Sequence, residues 1–412
     1  MKPTTMPLDD RSREGLAELP ATVRALGWTS FLTDLSSEAI YPLLPGFVKG
    51  LGGSGVDIGL VDGLANAVAA IVRLPAGMLS DRLGRRRLVL VGYGLSALIR
   101  PLMGLVGTPP AAVAVRTVDR LGKGIRSAPR DALVVDLVPQ ADRGRAFGHI
   151  RALDHVGAAV GPLVAMLFLL AFPGAERRLF LLTLLPGLAT LAVIWHRVRD
   201  VAPRAAVTAA RPESRGRLTP SQMALLACVA VWALGASSEQ FLLLRVASLG
   251  VPQAFVPLVW FAISLAKSLA AARAGRLADT LRPRPVLAAA WLLFAMAYGC
   301  LACTASLPAT LALVMVVGVA YGVAEPAERT LVAALAPDDR QGGAFGWYAL
   351  VQGLLALPAS LLAGWLWDRG AEGGPLAFAV TAAVALAACC LLLATGRAGR
   401  PGGRTRLVSG GG

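Results

Sequence analysis

Several ionisable side chains lie in stretches that are otherwise apolar. Asp34 and Glu38 stand four residues apart in one stretch, and Asp119, Lys123, Arg126 and Arg130 recur at i, i+4, i+7 and i+11 in another. On a helix each set falls on a single face. A carboxylate beside a cation stays ionised, whereas one stranded in a dry setting takes up a proton, so alternation between those states is a physical route to carrying protons. A fixed ion pair locking two helices together fits the same spacing, and both readings stay open here. Arg120 and Asp131 flank the cationic stripe. A sparser second set follows in Glu239, Glu325, Glu328 and Arg329, with Lys267 and the pair Asp154-His155 as secondary candidates.

Other chemistries lack their parts. Gly50-Leu51-Gly52-Gly53-Ser54-Gly55 has the glycine content of a phosphate loop, but no strand precedes it. Gly122-Lys123 has no Ser or Thr after it and no Gly five residues before, so ATP is not expected as a partner. Cys300-Leu301-Ala302-Cys303 has redox or metal spacing without a His or acidic neighbour, and no Ser-His-Asp or His-rich group stands out. No metal, no cofactor and no enzymatic activity are expected.

The elements that carry these charges must be helices in a membrane. The chain has 412 residues, of which 56% are hydrophobic and 16% charged, too apolar a balance for a water-soluble core. Leu88 to Val106, Leu179 to Trp195, Val286 to Ala305 and Ala377 to Ala394 each run about 18 residues or more, enough to cross ~30 Å of hydrocarbon as helix. They lack the alternation of barrel strands. Twelve spans are predicted near 22–48, 56–79, 87–107, 110–137, 143–172, 178–196, 220–246, 252–277, 284–305, 308–335, 342–367 and 375–396. A net charge of +15 would suggest nucleic acid in a soluble chain. Here the arginines collect in alternate loops, which marks those loops as cytoplasmic, puts both termini on the cytoplasmic side of the cell membrane and argues against nucleic acid as a partner. Residues 1–21 are polar with mixed charge and offer no cleavable signal segment.

The longest break, 197–219, is rich in Arg, Pro and Ala and reads as a cytoplasmic linker. It separates an N-terminal six-helix bundle, 22–196, from a C-terminal one, 220–396, with a cytoplasmic segment at 1–21 and a tail at 397–412. The bundles repeat each other at an offset of 198: Arg145-Ala146-Phe147-Gly148 matches Gly343-Ala344-Phe345-Gly346, and Gly77 matches Gly275. Six spans separate the copies, an even number, so the repeat is parallel and binding is expected between the halves near the midplane.

The turn Gly77-Met78-Leu79-Ser80-Asp81-Arg82-Leu83-Gly84-Arg85-Arg86 after the second span resembles the signature of the major facilitator superfamily over its full length. Its second copy keeps Gly275, Leu277 and Asp279 but has Thr280, Arg282 and Pro283 where the pattern wants Arg, Gly and Arg. The resemblance implies two six-helix bundles that rock about a central cavity lined by spans one, four, seven and ten. It implies a cytoplasmic gate at Gly77, Asp81, Arg82, Gly84, Arg85, Arg86, Gly275 and Asp279. Arg120-Leu121-Gly122-Lys123-Gly124 is similar to the family's Arg-x-x-Gln-Gly motif tied to proton coupling, with Lys123 in place of Gln. Gly148, Gly157 and Gly161-Pro162 follow the fifth-span spacing of the family's antiporters, a spacing that also serves close helix packing.

The expected function is secondary active transport of a small solute by alternating access in a lipid bilayer, proton-coupled and outward. Proton-coupled uptake by symport is the alternative, and a non-transporting sensor or scaffold the remoter one. The cations of span four point to an anionic or zwitterionic solute unless the carboxylates consume them.

Overall fold

The computed structural model describes residues 19–139, 142–199, 218–236, 238–278, 282–336, 341–371 and 373–398. Most of the expected linker, nearly all of the N-terminal segment, the tail beyond residue 398 and Asp279 lie outside the described residues. Among the described residues the chain is helical throughout and forms twelve rods in the order the apolar runs predict.

Local chemistry sets where the rods begin and bend. Span two, Gly55–Leu83, starts at a capping box: Asp57 N donates to the Ser54 hydroxyl at 3.1 Å and Ser54 N donates to the Asp57 carboxylate at 2.8 Å. Span seven begins the same way with Thr219 and Gln222, and Pro220 fills the first helical position. Span one is Ala21–Ile40, a 3₁₀ turn at Tyr41–Leu43 and Leu44–Gly50; Pro42 and Pro45 interrupt the helical hydrogen bonding there. Span two turns into span three at Gly84, whose φ of 91° is costly for any residue with a Cβ.

Ten of the rods are apolar enough to cross a membrane by length and composition. The other two are span one and span four, Pro109–Leu137, the rods that carry the charges. Span four buries Arg116, Asp119 and Arg126, so its polar face turns inward, away from lipid. Outward faces are apolar instead: Leu74 is 73% and Leu185 63% exposed.

The chain divides into two compact units, residues 1–214 with 239–261, and residues 215–238 with 262–412. Span seven is shared between them: Pro220–Gly235 belongs to the second unit and Gln240–Ser248 to the first. Segment 239–261 has specific ties in the first unit. The Trp260 indole donates to the Glu38 carboxylate at 2.9 Å, and the Gln253 amide donates to the Leu43 carbonyl at 3.4 Å.

Helices close on one another through small residues. In the first unit a Cβ added to Gly92 would lie 2.6 Å from the Gly122 carbonyl oxygen, and one added to Gly124 would lie 2.8 Å from that of Ala69. In the second unit Gly322 presses against the Lys267 carbonyl in the same manner, and these two residues stand 198 positions after Gly124 and Ala69. The repeat is therefore one of packing as well as sequence. The cores have diverged: the first clusters Leu26, Val89, Tyr93, Leu133 and Ile150, while the second stacks Trp232 on Trp291 at 4.9 Å and continues through Phe294, Tyr298 and Phe378.

Candidate functional site

Each unit contains a polar cavity, and the two are built from equivalent positions. The first, about 190 Å³, collects Ser30, Thr33 and Asp34 from span one, Arg73 from span two, Tyr93 from span three, Lys123, Arg126, Ser127, Arg130 and Asp131 from span four, and Arg151 and Asp154 from span five, Arg143–Ala171. Helical period brings them together, since Ser30 and Asp34 lie one turn apart, as do Lys123 and Ser127, or Arg126 and Arg130.

Arg130 is the hub. Its guanidinium donates to the Ser30 hydroxyl at 2.9 Å and to Asp131 at 3.1 and 3.2 Å, and stands 4.0 Å from Asp154. Arg73 reaches Asp131 at 3.6 Å, and Arg151 reaches Asp154 at 3.8 Å. Arg126 donates to the Ser96 hydroxyl at 3.0 Å and lies 4.5 Å from the centre of the Tyr93 ring. The Asp34 carboxylate and the Lys123 ammonium border the same space without a hydrogen bond or ion pair to any described residue.

Two residues of the predicted stripe and its flanks, and Glu38 of span one, stand elsewhere. Asp119 is buried outside this cavity, where it accepts from Arg100 at 2.9 Å and from Arg116 at 3.3 Å. Arg100 comes from the 3₁₀ end of span three and also donates to the Thr33 carbonyl, at 3.2 Å, and to the Ser36 hydroxyl. The helical period does put Asp119 in line with Lys123, but one turn away, where span three supplies a cation of its own, Arg100. Arg120 does not line the cavity, and its Nε is buried without a hydrogen-bond partner among the described residues. Glu38, one turn beyond Asp34, turns to Trp260 rather than to the cations. Trp260 in turn packs 4.8 Å from the Tyr41 ring, and Tyr41 donates to Asp62 at 3.4 Å.

The second cavity, about 230 Å³, is bordered by Trp232, Lys267, Tyr321, Glu325, Glu328, Arg329, Tyr348 and Gln352. Its hub is Glu328, 198 positions after Arg130, so an anion stands where the first unit has a cation. Glu328 is buried on span ten, Leu307–Leu335, and accepts three bonds from neutral donors: Trp291 at 3.2 Å, Tyr348 at 2.7 Å and Gln352 at 2.9 Å. Trp291 and Gln352 are the counterparts of Tyr93 and Asp154. Glu325 and Arg329 pair with each other at 3.0 Å on an exposed face, and Lys267 sits 4.9 Å from the Tyr321 ring centre. Glu239 precedes the short helix Gln240–Ser248 and groups with the first unit.

The gate turn is fastened within the first unit. Arg85 pairs with Asp81 at 3.3 Å and with Asp136 at the end of span four. Arg86 donates to the carbonyls of Val198 at 2.6 Å and Trp195 at 3.0 Å, at the end of span six. Gly77 lets span two approach Ala128, while Arg82 points outward and exposed. Gly275 lies in the helix Val256–Ala278, and its gate partner Asp279 lies outside the described residues. In span five a Cβ on Gly157 or Gly161 would strike the carbonyl oxygens of Phe31 and Leu35, whereas Gly148 faces open space and Pro162 is buried. Those two glycines let spans one and five close.

Sequence reasoning missed Arg100, Arg116, Asp136, Trp260, Trp291, Tyr348 and Gln352. A signal existed for two: Trp291 and Gln352 occupy the repeat positions of Tyr93 and Asp154. Among the described residues no three His, Cys, Asp or Glu side chains converge as metal ligands do.

The profile of the Major Facilitator Superfamily matches residues 26–245 and 223–408. An uncharacterised MFS-type transporter of Methanocaldococcus jannaschii is 29% identical over 378 residues, covering 88% of this chain and 92% of that protein. A multidrug resistance protein, MdtH, of Proteus mirabilis is 31% identical over 158 residues, 37% of this chain and 40% of that one. Among solved structures, an inward-facing, occupied bacterial homologue of the human lysosomal transporter Spinster superposes with a TM-score of 0.77 at 16% identity, covering 96% of this chain and 98% of that chain. That likeness is one of fold.

Proposed function

Since the chain belongs to the Major Facilitator Superfamily and is a multi-pass membrane transporter rather than an enzyme, we propose that it carries its solute outward across the cell membrane in exchange for protons, with both termini cytoplasmic. The observation that carries proton coupling is Glu328, a buried carboxylate within a spanning helix whose bonding partners are three neutral donors and no cation. A charge at that depth costs several kcal/mol, and binding a proton removes it. In the first unit the carboxylate without a bonded cation is Asp34, which borders Lys123, Arg126 and Arg130 with no bond to any of them. The cycle then has a state in which each carboxyl is ionised and a state in which it is protonated, and alternating access exposes them in turn.

Export is supported by the partial similarity to a multidrug resistance protein and by the fifth-span glycines, and both termini inside by the arginines of alternate loops. A second reading, symport, draws on the cations around Asp34. Protonating that carboxylate leaves them unneutralised, which favours loading an anion together with the proton rather than in exchange for it.

The test is proton movement in proteoliposomes with an internal pH dye, an imposed solute gradient and a solute panel, comparing wild type with Glu328→Gln and Asp34→Asn. Solute-driven pH change is expected in the wild type and lost in both variants. Export by antiport and symport give opposite signs of pH change. If solute flux in the two variants stays as pH-dependent as in the wild type, proton coupling through these groups is wrong.

A further inference from the structure

The first cavity leaves positive charge unspent. Five cations, Arg73, Lys123, Arg126, Arg130 and Arg151, border it against three carboxylates, Asp34, Asp131 and Asp154, an excess of two positive charges. Two of the carboxylates are already engaged: Asp131 by Arg130 and Arg73, Asp154 by Arg130 and Arg151. Those contacts occupy three arginines and leave Lys123 and Arg126. Lys123 is exposed to the cavity and its ammonium has no hydrogen bond or ion pair to a described residue, and Arg126 bonds a neutral hydroxyl and a ring face. Asp34 remains, one carboxylate for two cations, and bonds neither.

The second unit makes the contrast. At the repeat positions of Lys123 and Arg126 it has Tyr321 and Ala324, and its own lysine, Lys267, is spent on the Tyr321 ring. The unneutralised pair is therefore a property of the first unit and not a requirement of the shared fold. A cation at membrane depth is costly unless something pairs with it. The small volume, about 190 Å³, suits a charged group rather than a whole bulky solute.

We propose that the first-unit cavity is an oxyanion site, in which Lys123 and Arg126 hold the carboxylate, phosphate or sulfonate group of the transported solute. Arg126 is set for this by the Ser96 hydroxyl and the Tyr93 ring, which fix its guanidinium before the ligand arrives. Lys123, free to move, closes on the anion as a second donor. The arginines around Asp131 and Asp154 stay paired and give the cavity its shape. The inference rests on the transporter reading for the identity of the ligand as cargo, but the binding itself requires neither transport nor proton coupling.

The experiment is thermal unfolding of the full-length protein in detergent, titrated with sodium benzoate, inorganic phosphate or benzenesulfonate. Sodium chloride at matched ionic strength and benzylammonium chloride are the controls. At least one oxyanion is expected to raise the midpoint saturably above chloride, and benzylammonium is not. Lys123→Met and Arg126→Gln are each expected to weaken the apparent affinity roughly tenfold or more, as loss of a charge-assisted hydrogen bond would, and Lys123→Arg to restore it. No response to any of the three oxyanions overturns the proposal. So does wild-type affinity in both Lys123→Met and Arg126→Gln, or a response to benzylammonium alone. Anion binding that persists where the proteoliposome assay finds no proton coupling sinks the coupling and leaves this site standing.

Discussion

Asp119→Asn removes one negative charge from between Arg100 and Arg116, the carboxylate with which both form ion pairs. The side chains of Arg100, Arg116 and Asp119 are 5%, 1% and 4% exposed, so solvent screens almost none of the change. The two ion pairs measure 2.9 and 3.3 Å. At an effective dielectric near 20 a unit pair about 4 Å apart is worth about 4 kcal/mol before desolvation is charged against it. Breaking a buried pair by removing one partner costs about 3–5 kcal/mol in practice, because a buried charge is left uncompensated. Here two guanidinium groups share that fate, and the Nε and Nη2 of Arg116 already lack hydrogen-bond partners among the described residues. At roughly 2 °C per kcal/mol for a large chain, the unfolding midpoint should fall by about 6–10 °C. The assay is thermal unfolding of purified protein in detergent, with Arg100→Gln and the double variant beside it. Removing Arg100 as well relieves part of the repulsion, so the double variant should be less destabilised than the sum of the two singles. An Asp119→Asn midpoint within about 2 °C of wild type, or strict additivity, would refute the claim that this carboxylate neutralises the two arginines.

Two other perturbations separate packing from chemistry. Gly157→Ala places a methyl group against the Phe31 carbonyl and should cost about 1–3 kcal/mol, while Gly148→Ala, which meets nothing within 4 Å, should be silent in the same unfolding assay; equal effects at both positions would deny that span five closes on span one through Gly157. Trp260→Phe keeps the ring against Tyr41 but removes the donor to Glu38, so it should lower the midpoint by the equivalent of about 1–3 kcal/mol, and Glu38→Gln in that background should recover part of it; a midpoint unchanged by Trp260→Phe would count against that bond.

Some of this was legible in the residues and some was not, for physical reasons. Twelve apolar runs fix twelve rods because hydrocarbon thickness sets helix length, and the offset of 198 predicts equivalent packing, as Gly124 on Ala69 and Gly322 on Lys267 then display. Helical period correctly gathers Lys123, Arg126 and Arg130 around one space. Period along a single helix says nothing about its neighbours, however. Asp119 shares the stripe but meets Arg100, a residue at the 3₁₀ end of span three that reads in sequence as the close of an apolar run. Glu38 and Asp34 share a face, yet one turn of rise carries Glu38 into reach of Trp260, 222 residues away in the chain. Long-range partners of this kind leave no local pattern. The gate turn is the converse case: its basic, glycine-bearing sequence is evident, but its fastening to Asp136 and to the carbonyls of Trp195 and Val198 depends on where spans four and six end.

The repeat explains why the two cavities differ in sign. An arginine at position 130 needs anions around it, and Asp131 and Asp154 supply them; a glutamate at 328 needs donors, and Trp291, Tyr348 and Gln352 supply those. The replacement of Asp154 by Gln352 is the step that matters. A second carboxylate opposite Glu328 would add repulsion at membrane depth, whereas an amide donates to it at 2.9 Å and to Tyr348 at 3.0 Å. Hub and partner have thus changed together while Gly124 and Gly322 kept the helices in place. A duplicated bundle that conserves its glycine contacts can exchange the charge at its centre, because close packing fixes the backbone and leaves the polar shell free to be rewritten around whichever ion stands there. One fold then supplies a cation-centred cavity in one unit and a carboxyl held by neutral donors in the other, the asymmetry on which the proposed coupling of a proton to an anionic solute draws.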